Sequence, residues 1–287
     1  VSRLCFTVNL KRIEVIPMEK TIHLLQDDCL KLMEQIPDKS IDLILCDMPY
    51  GTTELAFDKN ILPLAEVWKQ YNRIIKDNAA ILLFSSQPFT TDLINSNRKM
   101  FRYEIIWKKT IATGFLNAKK MPLRIHENIC VFYKHLPTYH PQMRIVSEKD
   151  RKKKGIKIGR KCISKSGTCK QYREYGETIY VDKGTRYPND IIEFSNWNGV
   201  VYGNTKNTTK HPTKKPVPLL EYLIHTYSNE QDIVLDNCMG SGSTGVACVN
   251  TNRKFIGMEI DKNYFEIAKQ RIENCLKEKE VIKWIHK

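Results

Sequence analysis

Short apolar runs alternate with amphipathic segments along most of this chain, and that alternation limits its fold more than any other feature. The first two runs, TIHLLQ and SIDLILC, have the length and branching of strands, and CLKLMEQI between them has helical spacing. The same order returns at residues 62–109 and again at residues 217–278. Strands that alternate with helices predict an α/β fold with a mostly parallel sheet flanked by helices.

Basic residues are concentrated in one stretch of the chain. The 287 residues carry 46 Lys and Arg against 32 Asp and Glu, a formal net charge of +14. Between Arg144 and Arg173 there are 12 basic and two acidic residues, with little helical or strand periodicity. A charged run is often only a solvated face, but this one interrupts an α/β pattern. We therefore predict a basic insert that contacts nucleic acid.

The length suits one large α/β domain with an insertion. No run approaches the roughly 18 apolar residues of a membrane span, and the N-terminal segment lacks the pattern of a signal peptide, so we expect no membrane partner and a cytoplasmic location. Nine scattered cysteines without a C-x-x-C pair favour neither a metal site nor a disulfide framework. The predicted segments are an N-terminal extension (1–17), a first half of the main domain (18–135), a basic insert (136–208) and a second half (209–287).

The strand IDLILC ends at an acid and a turn, in the sequence DMPYG. A carboxylate at the carboxyl end of an interior strand points into the crevice where open α/β sheets bind ligands, so Asp47 is a candidate for chemistry. The alternative is that Asp47 only caps the turn made by Pro49 and Gly51. Cys46 should point to the other side of the strand, into the core.

A glycine-rich turn joins a strand to a helix in DIVLDNCMGSGSTGVACV. Gly240, Gly242 and Gly245 fit G-x-G-x-x-G, and Glu259 ends the next strand, where it can accept hydrogen bonds from ribose hydroxyls. This pattern indicates a nucleoside-containing ligand at a helix N-terminus, although such glycines can also be purely structural. A P-loop is disfavoured, because Val246 stands where the phosphate-binding lysine belongs.

Asp236 distinguishes between the possible nucleoside ligands. A carboxylate facing the loop would repel a pyrophosphate, whereas it suits a ligand with a positive charge, such as S-adenosylmethionine. Methyl transfer is therefore favoured over a nicotinamide-dependent oxidoreductase, which would also leave the basic insert and DMPY unexplained. A DNA-binding module without catalysis would account for the charge alone.

Several motifs together resemble those of the β group of amino-methylating DNA methyltransferases. DMPY resembles their D-P-P-Y, and LDNCMGSGSTG resembles their L-D-P-F-x-G-S-G-T-T. QDDCLKLM, HPTKKP and WKKTIATGFLNAKKMPLRIHENICVFYK are similar to further segments of the family, in the family's order. Met48 departs from the first proline, and Asn237 and Cys238 replace a Pro-Phe pair. The resemblance implies a Rossmann-like, S-adenosylmethionine-dependent fold with an inserted target-recognition region.

The resemblance also implies roles for individual residues. Asp47 and the carbonyl of Met48 would hold the target amino group, Pro49 would stiffen the turn, and Tyr50 would stack on the extruded base. The implied cofactor-binding residues are Asp28, Asp236, Gly240, Ser241, Gly242, Ser243, Thr244, Glu259, Thr213 and Lys215. The expected DNA contacts are Lys108, Lys109, Arg151, Lys152, Lys153, Lys154, Arg160 and Lys161.

The predicted reaction is methylation of the N6 amino group of adenine in double-stranded DNA, with the target base flipped out of the helix. Two acceptors on the amino hydrogens would direct the nitrogen lone pair to the methyl group. The N4 amino group of cytosine is the alternative target, whereas ring-carbon methylation is disfavoured because the chain has no Pro-Cys pair. A homodimer and a restriction endonuclease partner are further expectations.

Overall fold

The computed structural model describes residues 21–51, 61–155, 157–164, 167–169, 173–197 and 214–285. The chain divides into two compact units, one of residues 1–140 with 190–287 and one of residues 141–189. The extension predicted at residues 1–17 lies outside the described residues. The smaller unit falls within the insert predicted at residues 136–208, and the assignment of that insert to target recognition stays a prediction.

The described residues contain fourteen strands. In chain order they are β1 (Ile22–Gln26), β2 (Ile41–Cys46), β3 (Ile75–Ser85), β4 (Phe101–Thr113), β5 (Arg124–Phe132), β6 (Arg144–Ile145), β7 (Lys161–Ser164), β8 (Gly167–Cys169), β9 (Arg173–Tyr175), β10 (Thr178–Val181), β11 (Thr185–Arg186), β12 (Ile191–Phe194), β13 (Ile233–Asp236) and β14 (Lys254–Glu259). The seven α-helices are α1 (Cys29–Met33), α2 (Leu64–Ile74), α3 (Phe89–Ser96), α4 (Glu148–Lys154), α5 (Val217–Tyr227), α6 (Ser243–Asn250) and α7 (Lys262–Ile285). Among the described helices, none combines the length and apolar character needed to cross a bilayer.

Eight strands of the larger unit form one sheet, in the order β1-β14-β13-β2-β3-β5-β4-β12. Five of the seven neighbouring pairs are parallel, and only the two pairs that include β5 are antiparallel. The prediction of a mostly parallel sheet flanked by helices is therefore confirmed. The smaller unit contains three two-stranded pairs, β10-β7, β11-β6 and β8-β9.

Two apolar clusters cover the faces of the large sheet. The side chains of β2 alternate between them: Leu43 and Leu45 belong to the cluster under α5, α6 and α7, and Ile44 and Cys46 belong to the cluster under α1, α2 and α3. This alternation follows from the two-residue repeat of a strand. Cys46 is 1% exposed, which confirms its predicted place in the core.

Helix α4 lies in the basic stretch where the sequence indicated no regular structure. Its N-terminus is capped by Ser147, whose side chain accepts a hydrogen bond from the Asp150 amide, and Gly155 ends it in a left-handed conformation. No residue of this helix is buried, so its sequence carries no apolar repeat. Strand β12 also differs from the expectation, because it falls in the range assigned to the insert but pairs with β4 in the large sheet.

Candidate active site

Four acidic residues lie at or just beyond the carboxyl ends of four neighbouring parallel strands. Strands β1, β14, β13 and β2 lie side by side, and their chains reach Asp28, Glu259, Asp236 and Asp47 at the same edge of the sheet. The carboxyl edge of such a sheet is where α/β folds bind ligands. The structure thus brings the DMPY turn and the glycine loop to one edge of the sheet.

The Asp47 carboxylate accepts hydrogen bonds from two side chains, one in the same turn and one far along the chain. Its Oδ2 accepts a hydrogen bond from Lys215 Nζ at 2.6 Å, and its Oδ1 accepts one from the Tyr50 hydroxyl. The Tyr50 ring stacks on Phe89, with ring centroids 5.3 Å apart. One oxygen is therefore fixed by a cation, while the other accepts from a hydroxyl that a substrate amino group could replace.

Lys215 joins Asp47 to a second carboxylate. Its Nζ lies 3.2 Å from Glu127 Oε2, and Glu127 Oε1 accepts a hydrogen bond from Lys109 Nζ. Burial disfavours the charged form of Lys215, but the carboxylates of Asp47 and Glu127 outweigh it and raise the pKa of Lys215. Burial opposes ionisation of Glu127, and the two lysines overcome it and lower the pKa of Glu127. Lys215 and Glu127 are thus held in their charged forms.

The two departures from the family pattern meet at one side chain. Met48 is 3% exposed, and its sulfur lies 4.0 Å from the Tyr71 hydroxyl. The same hydroxyl donates to Asn237 Oδ1 at 2.5 Å, and the Asn237 amide contacts the sulfurs of Cys29 and Cys238. The residues that replace proline in both motifs are therefore parts of one buried polar cluster behind the site.

Asp236 is buried beneath the start of α6. Its carboxylate accepts hydrogen bonds from the Thr244 hydroxyl at 2.6 Å and from the Cys238 amide at 3.1 Å. Burial raises the pKa of Asp236 to about 7, because these two hydrogen bonds only partly offset the loss of solvent and nearby Asp47 opposes a second negative charge. A cationic ligand group at this carboxylate would favour its ionised form.

Glu259 faces the glycine loop from the next strand. Its carboxylate accepts hydrogen bonds from the amides of Gly240 and Asp261, both at 2.9 Å, and burial raises its pKa. Asp28 lies at the far end of the row, where its side chain caps α1 by accepting from the Leu30 amide at 2.8 Å. Both acids are at the edge where the resemblance expects ribose and adenine.

The rest of the glycine loop is held by packing as well as by polar contacts. Arg271 donates to the Ser241 carbonyl and hydroxyl, and it approaches the Ser243 hydroxyl at 3.4 Å. A Cβ on Gly242 would lie 2.8 Å from the Ala268 Cβ, and Gly242 has φ +76°. The glycine pattern is therefore partly structural, because the absence of a side chain at Gly242 lets the start of α6 pack closely against α7.

The expected site residues outside these motifs lie in different surroundings. Thr213 lies outside the described residues, and Lys215, expected beside the cofactor, is paired with Asp47. Lys109 is 9% exposed and its charge is paired with Glu127, so its position does not favour a phosphate contact. Lys108 pairs with Glu193 near the surface. The remaining expected DNA contacts lie in the smaller unit, on α4 and around β7: Arg151, Lys152, Lys153, Lys154, Arg160 and Lys161.

The sequence indicated no catalytic or binding role for three residues of the site, Glu127, Tyr71 and Arg271. Tyr71 and Arg271 gave no signal because they lie on helices whose spacing only indicates packing. The available hint for Glu127 was its place in RIHENICVF, within a segment that is similar to the family's. Among the described residues, no group of three His, Cys, Asp or Glu side chains is arranged to hold a metal ion.

A family model described as DNA methylase, of the N6-adenine and N4-cytosine type, matches residues 41–270 of this chain. The chain belongs to this DNA methylase family. The methylase is 30% identical over 263 residues to Type II methyltransferase M.HpaI of Haemophilus parainfluenzae, covering 88% of this chain and 74% of that protein. It is 26% identical over 273 residues to the DNA adenine methyltransferase YhdJ of Escherichia coli K12, covering 88% and 83% of the two chains.

The fold of the methylase is also found among solved structures. The M1.HpyAVI–SAM complex superposes with a TM-score of 0.55 at 23% identity, covering 88% of this chain and 98% of that one. This likeness supports the Rossmann-like α/β fold. The resemblance to amino-methylating DNA methyltransferases that the motifs indicated is thus confirmed at the level of the family.

Proposed function

We propose that this methylase transfers a methyl group from S-adenosylmethionine to the N6 amino group of adenine in DNA at a specific sequence. The observation that carries the proposal is the meeting of Asp47 with Asp236 and Glu259 at one edge of the sheet. Support for adenine comes from aspartate at the first position of the DMPY motif and from the similarity to an enzyme named a DNA adenine methyltransferase.

The acidic edge fits S-adenosylmethionine better than a dinucleotide. Buried Asp236 and half-buried Glu259 place two carboxylates around the loop, which suits the positive charge and the hydroxyls of this cofactor and would repel a pyrophosphate. When bound, S-adenosylmethionine supplies an electrophilic methyl group. Asp236 and the loop from Gly240 to Thr244 would hold its methionine part, Glu259 its ribose and Asp28 its adenine.

Asp47 would act on the target amino group as a hydrogen-bond acceptor. Because Lys215 holds Oδ2, Oδ1 is the oxygen free to exchange the Tyr50 hydroxyl for an amino hydrogen. The carbonyl of Met48 would accept the second hydrogen, Pro49 would keep that turn rigid, and the ring of Tyr50 would stack on the extruded base. Glu127 and Lys215 would act as positioning residues, since they reach the substrate only through Asp47.

The test is methylation of unmodified λ DNA with radiolabelled S-adenosylmethionine, followed by mass spectrometry of the digested nucleosides. We expect N6-methyladenine; N4-methylcytosine as the product would leave the family intact but overturn the choice of adenine. Asp47→Ala should abolish incorporation and retain cofactor binding, while Asp38→Ala, at an acid whose side chain is 71% exposed, serves as the matched control. An active Asp47→Ala variant would refute the role given to that carboxylate.

Some expectations from the sequence stay predictions. These are the cytoplasmic location, the homodimer and the restriction endonuclease partner, although the relative M.HpaI is named a Type II methyltransferase. The DNA contacts assigned to the basic residues of the smaller unit are likewise proposals. Sequencing that maps modified bases in DNA from cells expressing the chain would give the recognition site directly.

A further inference from the structure

Three cysteines from separate parts of the chain meet behind the acidic edge of the sheet. Cys29 begins α1, Cys46 ends β2, and Cys238 follows β13, and all three are free thiols. The sulfurs of Cys29 and Cys238 contact the same amide nitrogen, Asn237 Nδ2, at 3.7 and 3.6 Å. The Cys238 thiol also donates hydrogen bonds to the sulfurs of Cys29 and Cys46. Thiols that are far apart in the sequence are thus neighbours in the fold.

The three thiols differ in their tendency to ionise. The hydrogen bond from Cys238 lowers the pKa of Cys29, and the Asn237 amide adds to this effect, although burial opposes it. Burial raises the pKa of Cys46 to about 12, and the hydrogen bonds that Cys238 donates raise its own pKa. A thiolate reacts with oxidants far faster than a thiol does. Cys29 is therefore the most reactive sulfur of the three.

The Cys29–Cys238 pair lies at the border of the core. Cys238 is half-buried and Cys29 is 7% exposed, whereas Cys46 is only 1% exposed. Cysteines that are reversibly oxidised are typically easily ionised, accessible to a small oxidant and next to a second cysteine that resolves the first product. A metal ion is the rival explanation for clustered thiols, but no three His, Cys, Asp or Glu side chains in the described part of the chain are arranged to hold one.

We propose that Cys29 and Cys238 form a reversible disulfide when the methylase meets a peroxide, and that this disulfide weakens the binding of S-adenosylmethionine. The Cys29 thiolate attacks one oxygen of hydrogen peroxide, the O–O bond breaks, and a sulfenic acid and one water form. The Cys238 sulfur then displaces the hydroxyl group from Cys29, and its proton leaves with that group as a second water. Two thiols and one hydrogen peroxide thus give one disulfide and two waters, and a dithiol reductant reverses the oxidation.

The disulfide acts on two acids that are next to the pair. Asp28 precedes Cys29 and caps α1, and the Cys238 amide donates to the Asp236 carboxylate at 3.1 Å. Joining the two sulfurs displaces the Asn237 amide that contacts both, and the shift reaches both acids. Asp28 and Asp236 are the residues proposed to hold the adenine and the methionine part of the cofactor. The inference therefore rests on these proposed cofactor contacts, but it does not depend on which base is methylated.

The cofactor and the disulfide must oppose each other. If the disulfide lowers cofactor affinity by some factor, bound cofactor disfavours the disulfide by the same factor. A tenfold effect corresponds to a rise of about 30 mV in the reduction potential of the pair when the cofactor is saturating. Bound cofactor should therefore protect the pair from oxidation.

The first experiment treats the full chain with hydrogen peroxide and maps its cysteines. Trypsin places Cys29 and Cys46 on different peptides, so mass spectrometry with fragmentation identifies the partner of Cys238. We expect a link between Cys29 and Cys238 that dithiothreitol removes. Calorimetric titration should show S-adenosylhomocysteine binding about tenfold more weakly after oxidation, a usual size for coupling between two sites. Dithiothreitol should restore this affinity, whereas it does not reverse the oxidation of methionine.

The second experiment measures the reduction potential of the pair in glutathione buffers. Saturating S-adenosylhomocysteine should raise this potential by about 30 mV. NAD at the same concentration is the matched control and should leave the potential unchanged, because the acidic edge repels a pyrophosphate.

Three variants separate the two steps of the oxidation. Cys29→Ser should form no disulfide at Cys238, and Cys238→Ser should leave on Cys29 a sulfenic acid that dimedone labels once the chain is unfolded. The control is Cys275→Ser, at another half-buried thiol, whose sulfur contacts Asn250 on α6; it should keep both the disulfide and the loss of affinity. Each oxidised variant is compared with its own reduced form, so that an effect of the substitution on basal affinity cancels.

Three results would overturn the inference. In the first, Cys29 and Cys238 of the wild type stay free at a peroxide concentration that oxidises Cys275. In the second, Cys238 is linked to Cys46 instead. In the third, the Cys29–Cys238 disulfide forms but S-adenosylhomocysteine binds it as tightly as the reduced chain. A reduced wild type that binds the cofactor but methylates no DNA would refute the proposed function and leave this inference standing.

Discussion

The charge of Lys215 is paired with the Asp47 carboxylate, which is the proposed acceptor for the target amino group. Lys215 bridges two carboxylates in a site where its own side chain is only 9% exposed, so its removal leaves Asp47 without its fixed partner and Glu127 with a single cation. We predict that Lys215→Met lowers kcat by about 10- to 100-fold while cofactor affinity changes much less. Steady-state kinetics on λ DNA, with titration of S-adenosylhomocysteine, measures both quantities.

The control for Lys215→Met is Lys76→Met, which breaks a 2.6 Å ion pair with Asp42 away from the site. Lys215→Arg should recover part of the lost rate, because it restores the cation but not its geometry. If Lys215→Met kept the kcat of the control, or lost only cofactor affinity, Lys215 would not position Asp47. A loss of cofactor affinity alone would favour the original expectation of a cofactor contact.

The raised pKa of Asp236 predicts a pH dependence of cofactor binding. Burial raises this pKa to about 7, so Asp236 is mostly protonated at pH 6 and mostly ionised at pH 8. Only the ionised form attracts the positive charge of S-adenosylmethionine, and its fraction increases about tenfold over that interval. We expect affinity to rise by about that factor from pH 6 to pH 8, measured by calorimetric titration.

The matched variant for the pH experiment is Asp236→Asn, which keeps the shape of the side chain and cannot ionise. Its affinity should be lower at pH 8 and nearly flat across the interval. Asp38→Asn, at an exposed acid, should retain the rise. An equally steep rise in Asp236→Asn would assign the titration to another group.

At the scale of elements, the packing of α6 against α7 depends on Gly245. A Cβ at this position would lie 2.3 Å from Ile272 Cδ1 and 2.8 Å from Phe255 Cε1, both in the core. Alanine is intrinsically better in a helix than glycine by about 1 kcal/mol, but overpacking a core costs about 1–3 kcal/mol. We predict that Gly245→Ala lowers the free energy of unfolding in urea.

Two variants make that packing argument specific. Gly176→Ala adds a methyl group where nothing lies within 4 Å and should leave the urea midpoint almost unchanged. Ile272→Ala removes the atoms that the new methyl group would meet, so the double variant with Gly245→Ala should be more stable than the sum of the single changes predicts. Simple additivity would mean that Ile272 is not the obstacle.

The sequence predicted the elements that bury apolar side chains. Strand β2 is an apolar run buried on both faces of the sheet, so its length and branching were visible in the sequence, and helix α2 buries Val67, Trp68, Tyr71 and Ile74 at helical spacing. Helix α4 buries nothing, and its only sequence signals were Ser147 and Gly155 at its ends. The bond between Lys215 and Asp47 joins residues 168 positions apart, and no local pattern encodes such a contact.

At the scale of the whole molecule, positive charge is concentrated in the smaller unit. Residues 141–189 contain 14 Lys or Arg and five Asp or Glu, a net +9 of the total +14. The larger unit, which contains the edge proposed to bind the cofactor, carries the remaining +5. Such segregation predicts that much of the DNA affinity comes from the smaller unit, while the chemistry belongs to the larger one.

This division can be tested with two triple variants that have the same net charge. Lys152, Lys153 and Lys154 lie exposed on α4, and replacing all three by Gln should weaken λ DNA binding and lower the salt slope by about two to three. The same change at Lys69, Arg98 and Lys99 of the larger unit, all of them exposed, should have a much smaller effect.

Because both triple variants lose three positive charges, a difference in their DNA affinity reports the position of the basic residues and not their number. If the two triple variants lost affinity equally, DNA would be responding to the overall charge of the molecule, and the smaller unit would hold no phosphates of its own. If only the α4 variant lost affinity and salt dependence, while both retained S-adenosylhomocysteine binding, three phosphates would be assigned to α4. The first result contradicts the role predicted for the basic insert, and the second supports it.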